Sequence, residues 1–482
     1  MAVAGTIALN RFGHGARLSE AQPVDPRAWL LNQLRSYEPR PAALASMPSR
    51  SVIAAQIGDY IDEVREGRPM RRAAANTAAG MREQMGDEGI PDNARRFLRR
   101  AITEQYMVMV AGRMNAAATS SAPFAERLVH FWANHFAVSA DKPQVIGMAG
   151  LLEFEAIRPN LMGRFSDMLM AVEQHPAMLM YLDQWHSIGP DSVAAKWVVR
   201  RRGQKRGLNE NLAREILELH TLGADGGYSQ GDVTEFARAL TGWTVAGLVK
   251  GPAARALGNR GAPGSFQFAE LIHQPGERTI IGRRYGQQGV DQARSVLVDL
   301  AAHPSTARHL ATKLAWHFAG DDPPRAMIDR LSSAYLHSGG DLPTVYRAII
   351  DSPEAWAPRP VKFKTPWEWS VSAFRMAGAA EVDGQIVAGL LKQLGQPTWA
   401  PGSPAGWDDK AASWAGPDAL VRRVEAAERI ASQAGAGTDA RAVASRLFGE
   451  ALTASTAQAI ARAESPQQGL ALLLVSPEFL RR

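Results

Sequence analysis

The sequence predicts a mainly α protein: a single body of many helices, interrupted near its middle by a small glycine-rich β-hairpin insertion. Through most of the 482 residues apolar side chains recur three or four positions apart, whereas the alternation typical of strands is scarce. Nine of the 43 glycines fall within residues 244–289, where the helical period disappears. We therefore expect a helical part over 1–243, an insertion over 244–289, and a second helical part over 290–482 that packs on the first.

The individual helices follow from start and stop signals. Asp25 and Pro26 supply an N-cap acceptor and a proline at the first helical position. Ser229 and Asp232 predict a capping box, and Gly223 is expected to close the helix before it. Further helices are expected at about 92–115, 123–136, 144–158, 209–222, 229–243, 289–302 and 305–319, and in several stretches from 325 to the C-terminus.

Within the insertion, residues 265–268 and 278–281 are expected to pair as a hairpin. The segment 274–277 between them has the Pro-Gly order of a type II turn. His273 lies just before this turn and Arg278 just after it, so together they could present an imidazole and a guanidinium group to an anionic ligand. A solvated hairpin explains the same residues equally well.

Composition excludes several classes of protein. The hydrophobic fraction of 46% argues against disorder, and the absence of cysteine removes disulfide frameworks, thiol catalysis and thiolate zinc sites. No run of about 20 apolar residues predicts a membrane span. The net charge of +6 is too small to indicate a dedicated nucleic-acid binder, although a basic run occupies 200–206. No signal peptide is recognised at the N-terminus, and the absence of cysteine is compatible with either a cytoplasmic or an exported protein.

The densest polar cluster lies in the helix predicted at 209–222. Asn211, Glu215 and Glu218 are three or four residues apart and share one face. Such a row could coordinate a divalent cation through oxygen, or hold one carboxyl group as a general base. Alternatively, the carboxylates pair with Arg214, with Arg238 or with solvent.

Other polar residues give weaker signals. His130 and His135 are five residues apart, which is not the i, i+4 spacing of a zinc pair, so an imidazole bonded within an aromatic core is the preferred interpretation. Asp183 is either the edge of a site or a helix cap. Six of the twelve tryptophans fall between 356 and 414, where they could stack on a sugar or simply pack. No phosphate-binding loop, dinucleotide fingerprint, nucleophile elbow or HExxH motif is present.

Taken together, these segments resemble the bacterial family named domain of unknown function 1800. The resemblance rests on the blocks ALNRFGHGAR, FWANHFAVS, MLMYLDQWHS, NENLAREILELHTLGADGGYSQGDVTEFARALTGW, HQPGERTIIGRRY, HPSTARHLATKLAWHF, KFKTPWEWSVSAFR, GQPTWAPGSPAGWDD and SPEFLRR. The family pattern commonly has Asp and Lys where this chain has Gln274 and Arg278, and Asn where it has Gln184. Chemistry that depends on the missing aspartate would be absent here.

The resemblance implies a largely helical protein and a partner. Genes of this family often stand beside those of a second family, domain of unknown function 1501, which resembles the alkaline phosphatase and sulfatase superfamily and often carries a twin-arginine export signal. A hetero-complex with such a phosphatase-like protein is therefore expected. The chain would then either stay in the cytoplasm or leave it folded, bound to its exported partner.

Two hypotheses follow. In the first, the chain is a metal-assisted or acid/base hydrolase for an anionic or glycan-like substrate, and a divalent cation is held by Glu215 and Glu218. Its predicted catalytic residues are Glu215, Glu218, Asp183, His135 and His273, and its predicted ligand-binding residues are Asn209, Asn211, Arg214, Arg238 and Arg278. In the second, the chain is a non-catalytic helical adaptor or chaperone that docks the phosphatase-like partner.

Overall fold

The computed structural model describes residues 2–17, 20–61, 103–202, 207–248, 261–379, 381–433 and 439–482. The predicted mainly α fold is confirmed. The helices are α1 (Ala2–Ile7), α2 (Pro26–Arg35), α3 (Thr103–Thr119), α4 (Pro123–His135), α5 (Pro143–Leu151), α6 (Arg158–Asn160), α7 (Phe165–Glu173), α8 (Pro176–Tyr181), α9 (Val193–Arg202), α10 (Asn211–Glu215), α11 (Gln230–Leu240), α12 (Val290–Ala301), α13 (Pro304–Ala319), α14 (Arg325–Ser338), α15 (Leu342–Asp351), α16 (Pro366–Met376), α17 (Gly384–Gln393), α18 (Pro417–Gln433), α19 (Ala440–Phe448), α20 (Ala454–Ala461), α21 (Pro466–Leu474) and α22 (Pro477–Leu480). Residues 50–61 are also helical.

The predicted helix starts at Asp25 and Ser229 are confirmed. The Asp25 carboxylate accepts a hydrogen bond from the backbone N–H of Ala28 at 3.0 Å. Ser229 and Asp232 cap each other's backbone N–H groups in a capping box. Of the helix expected at 92–115, only the part from 103 onward lies within the described residues.

A wider π-helical turn, Ile216–His220, continues α10. In this turn the N–H of Leu222 bonds to the carbonyl of Leu217, five residues earlier, at 3.0 Å. The π turn ends at His220, and Gly223 follows Leu222 with a positive φ of 87°, the conformation expected of the predicted closing glycine. Two other π-helical turns occupy Ala8–Phe12 and Leu152–Ile157.

The insertion contains two separate antiparallel pairs of strands. Strand β1 (Trp243–Val245) pairs with β2 (Phe266–Phe268), and β3 (Arg278–Ile280) pairs with β4 (Arg283–Tyr285). The expected pairing of 265–268 with 278–281 was therefore wrong. Ile281 and Gly282 both have positive φ, at 49° and 70°, which closes β3 on β4 through a two-residue turn of the type I′ kind. Strand β3 thus pairs with β4, the strand that follows it directly in the chain, and not with residues 265–268.

The hydrophobic core is continuous from the N-terminal to the C-terminal helices. Buried polar contacts cross it as well: the indole N–H of Trp132 on α4 donates to the hydroxyl of Tyr346 on α15 at 2.7 Å. The guanidinium group of Arg375 on α16 donates to the carbonyl of Gly15 at 2.9 Å. Among the described residues, no helix combines the length and apolar character needed to cross a membrane.

Candidate functional site

A cavity of about 100 Å³ lies where helices α3, α4, α13 and α16 meet the segment before residue 17 and the loop between α17 and α18. Many of the residues that line it are polar or charged, although it lies within a helical core. The residues that carry its chemistry are His14, Arg113, Arg127, His130, Asn134, His135, Lys313, His317, Trp367, Glu368, Trp399, Trp407 and Asp409.

One wall of the cavity is a loop fastened by Asn134. The Asn134 side-chain N–H donates to the carbonyl of Trp407 at 2.8 Å, and its oxygen accepts from the Trp407 N–H at 2.7 Å. Gly406, at φ +79°, must be glycine, because a Cβ there would lie 2.3 Å from the Asn134 carbonyl oxygen. Trp399 also has positive φ, at 47°, and its carbonyl accepts from Ala140 N–H at 2.7 Å. This wall is therefore held at both ends, with Trp399 in a strained backbone conformation.

The proton positions in a histidine chain follow from its neighbours. The indole N–H of Trp367 can only donate, so His130 Nδ1, 3.1 Å away, is the acceptor. His14 Nε2 lies 3.2 Å from the same Nδ1 and must therefore donate. His14 Nδ1 then accepts from Arg127, whose nitrogen is 3.5 Å away.

This chain leaves one donor free. Burial, with Arg113 the foremost charged contributor, holds the pKa of His130 well below 6.5, so its ring is neutral and carries its only proton on Nε2. That buried Nε2 has no hydrogen-bond partner among the described residues, although 92% of His130 is buried. A buried N–H without an acceptor is costly, so this edge of the cavity is suited to an oxygen acceptor from a ligand.

His135 offers a hydrogen-bond acceptor, whereas His130 offers a donor. Its Nε2 donates to the carbonyl of His220 at 3.1 Å, which leaves Nδ1 as a lone-pair acceptor with no partner among the residues described. Burial, followed by the charge of Lys313, holds the pKa of His135 well below 6.5. The ring also packs against Phe131, Trp132 and Phe136, as the aromatic-core interpretation predicted.

The floor of the cavity is a buried charge cluster. The Glu368 carboxylate forms ion pairs with Arg127 on α4 and with Arg482 at the C-terminal end of the chain. The nitrogen of Arg482 lies 2.8 Å from the carboxylate oxygen. Arg482 also donates to the carbonyl of His317 at 2.5 Å. Burial alone would raise the pKa of Glu368, but Arg482 and Arg127 hold it well below its usual 4.5. Glu368 is therefore a structural anion that joins three distant segments.

A second ionic group lies beside the floor. His317 Nδ1 is 3.4 Å from one oxygen of Asp409, and Lys362 Nζ is 3.6 Å from the other. Burial and the charge of Arg482 lower the pKa of His317 to about 4, so its ring is neutral near pH 7. Asp409 thus already has two partners.

Arg113 lies between two indoles. Its guanidinium carbon is 4.2 Å from the ring centre of Trp367 and 5.1 Å from that of Trp399. Its Nε is 2.7 Å from the Glu153 carboxylate, which also accepts from the Trp399 indole N–H at 3.2 Å. Stacking and this ion pair fix the planar cation at the cavity wall.

Of the ten predicted site residues, only His135 lines the cavity. Arg214 lies on an outer face, 3.4 Å from Glu210 and 2.9 Å from Gln230. Asn209 donates to the Leu182 carbonyl at 3.0 Å and accepts from the backbone N–H of the exposed Asn211 at 2.9 Å. The two asparagines therefore support the start of α10.

Glu215 and Glu218 are both half-buried near the π turn. Burial, with a contribution from Glu218, raises the pKa of Glu215, and the Tyr228 hydroxyl lies 3.4 Å from Glu218. Asp183 is paired instead with Lys142 at 2.8 Å. Within the described ranges, no group of three histidine or acidic side chains could hold a metal ion, so Glu215 and Glu218 have no third ligand there.

The three remaining predicted residues lie together at the insertion. Glu235 pairs with Arg238 and lies 3.5 Å from Arg278, which also donates to the carbonyl of Gln274 at 3.2 Å. His273 Nδ1 donates to the carbonyl of Thr241 at 2.7 Å. These contacts brace the turn on α11. Residues 203–206 of the basic run 200–206 lie outside the described residues.

The sequence reasoning missed most of the cavity. It assigned no role to His14, Arg127, Lys313, Glu368 or Asp409, although each lies in, or next to, a block that carries the family resemblance. Those blocks are far apart in the chain and converge only in the fold. The sequence blocks that carry the family resemblance, taken together, were therefore the feature that could have indicated these cavity residues; no local motif does so.

A family model described as "Protein of unknown function (DUF1800)" matches residues 7–481, nearly the whole chain. No curated protein and no solved structure matches it.

Proposed function

Because the chain belongs to the DUF1800 family, whose description names no activity, we propose a function from the cavity: it binds a small anionic ligand and hydrolyses it by acid/base chemistry. The observation that carries this proposal is that several residues lining one cavity have polar groups without a partner among the described residues. His130 Nε2–H lacks an acceptor, and the half-buried Lys313 amine has neither a hydrogen bond nor an ion pair with any described residue. Arg113 adds a fixed cation beside them. Oxygen atoms of a phosphate, sulfate or carboxylate group would satisfy all three.

Hydrolysis would use His135, which offers a proton acceptor where the other groups are donors. A ligand oxygen held by Arg113 and His130 places the scissile bond near His135, whose Nδ1 lone pair can take a proton from water. The Lys313 ammonium can return a proton to the leaving oxygen. A half-buried indole, Trp407, at the edge of the cavity provides a face for a sugar ring, which supports a glycan-like substrate.

The binding step is tested with inorganic phosphate and sulfate as probes. We expect both ions to raise the melting temperature of the full chain, and Lys313→Met to weaken the apparent affinity about tenfold, because one charge-assisted contact is lost. Lys392→Met, at an exposed position on α17, is the matched control and should bind like the wild type. Equal affinity of the Lys313→Met and Lys392→Met proteins would contradict the proposal.

The role predicted for Glu215 and Glu218 is a separate proposal. If these carboxylates hold a divalent cation, elemental analysis of the purified protein should find it, and Glu215→Gln or Glu218→Gln should reduce both the metal content and the hydrolysis of aryl phosphate or sulfate esters. His135→Gln, which keeps a donor for the His220 carbonyl, reports on the cavity instead. A metal-free protein in which only His135→Gln loses activity would assign catalysis to the cavity alone.

The adaptor hypothesis has its own supporting observation. Val421 and Val424 lie three positions apart on α18, and both are exposed. An apolar face of this kind favours docking of a protein such as the phosphatase-like member of the domain of unknown function 1501 family. Co-expression should then give one size-exclusion peak, which Val421→Asp abolishes and Val24→Asp, at another exposed valine, does not. Export of the bound pair would follow the partner's signal.

A further inference from the structure

Lys313 differs from the other described lysines in what surrounds its amine. The charged group that raises the pKa of its amine is Asp409, whose two oxygens already lie near His317 and Lys362. Lys313 is in turn the foremost charged contributor to the lowered pKa of His135 and of His309. Lys313 therefore lines the cavity without a dedicated counterion among the described residues.

Lys364 provides an internal comparison. It is fully buried, its Nζ donates to the Ser372 hydroxyl at 3.1 Å, and it lies 4.5 Å from the ring centre of Phe479. Burial lowers the pKa of both amines, to about 8 for Lys313 and about 7 for Lys364. Both are therefore readily deprotonated, but only Lys313 lines the cavity.

We propose that the Lys313 amine is the nucleophile of this cavity and forms an imine with the carbonyl carbon of an anionic aldehyde. The ammonium form first releases one proton to solvent. The lone pair of the neutral amine then attacks that carbon, and the resulting carbinolamine loses its oxygen as water, which takes up the two protons of the amine nitrogen. The imine therefore forms without an oxidant or a reductant. The inference rests on the anion site proposed above, but not on hydrolysis.

The site suits an anionic aldehyde for two reasons. Arg113 and the free His130 N–H can hold the anionic group, while the amine on α13 faces the same space from another wall. The small volume, about 100 Å³, keeps a bound carbonyl within reach of the amine. Holding the two reactants together in this way raises the rate beyond that of a free amine of the same basicity.

The test uses pyridoxal 5′-phosphate as the probe, added to the full chain at about pH 8 and followed by borohydride reduction and peptide mapping. We expect Lys313 to be labelled about tenfold faster than the exposed Lys392, because more of its amine is unprotonated. Lys364 should remain unlabelled. The labelling rate of Lys313 should rise through a midpoint near its pKa of about 8, which burial lowers and Asp409 raises. The other titratable groups near it are His135 and His309, whose own pKa values Lys313 lowers.

The controls separate this inference from anion binding. Lys313→Arg keeps the positive charge but cannot form an imine, so it should lose the label and still bind phosphate. Excess phosphate should protect Lys313 and not Lys392. Labelling of Lys313 no faster than that of Lys392 overturns the imine proposal, whereas fast labelling without phosphate protection overturns the anion site and leaves the nucleophile in place.

Discussion

Glu368→Gln is expected to lower the free energy of unfolding by about 3–5 kcal/mol, which is the range for breaking a buried ion pair by removing one partner. The substitution keeps the shape of the side chain and an acceptor for the Thr365 N–H, which Glu368 binds at 3.0 Å. It removes the negative charge, and so leaves Arg127 and Arg482 buried without their anion. Urea denaturation of the wild-type and variant proteins measures the difference.

A surface pair provides the control. Glu354 binds Arg330 at 3.0 Å, with the arginine side chain 38% exposed, so Glu354→Gln should cost less than about 1 kcal/mol. The double variant Glu368→Gln, Arg482→Met should recover about 1 kcal/mol or more relative to Glu368→Gln, because only one unpaired arginine remains. If Glu368→Gln costs no more than Glu354→Gln, the floor of the cavity is not held by this carboxylate.

The fold was predictable where local chemistry decides it. The caps at Asp25 and Ser229 and the helical periods identified most helices, because these signals involve residues within a few positions of one another. The strand pairing was not predictable in the same way. A positive φ at Ile281 is unusual for a β-branched residue and is imposed by tertiary contacts, such as the bond from its N–H to Asp232 at 2.6 Å. The π turn at 216–220 likewise has no local signal.

The candidate site was less predictable than the fold. Sequence reasoning favours residues clustered along the chain, and it therefore selected the acidic helix, whose polar residues are mostly satisfied by near neighbours. The cavity instead depends on pairs such as His14 with His130 and Arg127 with Glu368, which are 116 and 241 positions apart. Whether two such residues meet is decided by the packing of the whole core, and rules based on spacing along the chain do not describe that packing.

The histidines around the cavity predict a steep loss of stability in mild acid. Burial is the main reason that the pKa of His14, His130 and His135 lies well below 6.5 and that the pKa of His317 falls to about 4. Between about pH 6.5 and 4 the unfolded chain therefore binds protons that the folded chain does not, so the free energy of unfolding falls as the pH falls and is regained as it rises. Glu368 adds its own loss only below about 4.5, since its carboxylate is stabilised in the fold.

The contribution of a single ring can be measured. His317 should account for roughly 3 kcal/mol by about pH 4, because each unit of pKa displacement is worth about 1.4 kcal/mol. His317→Gln should therefore show a shallower fall between pH 6.5 and 4 than the wild type, whatever its stability at pH 7. His337→Gln, at an exposed histidine on α14, is the matched control for replacing a histidine by glutamine. Parallel curves for the wild type and His317→Gln would show that this imidazole is protonated in the fold, and its contact with Asp409 would then be a true ion pair.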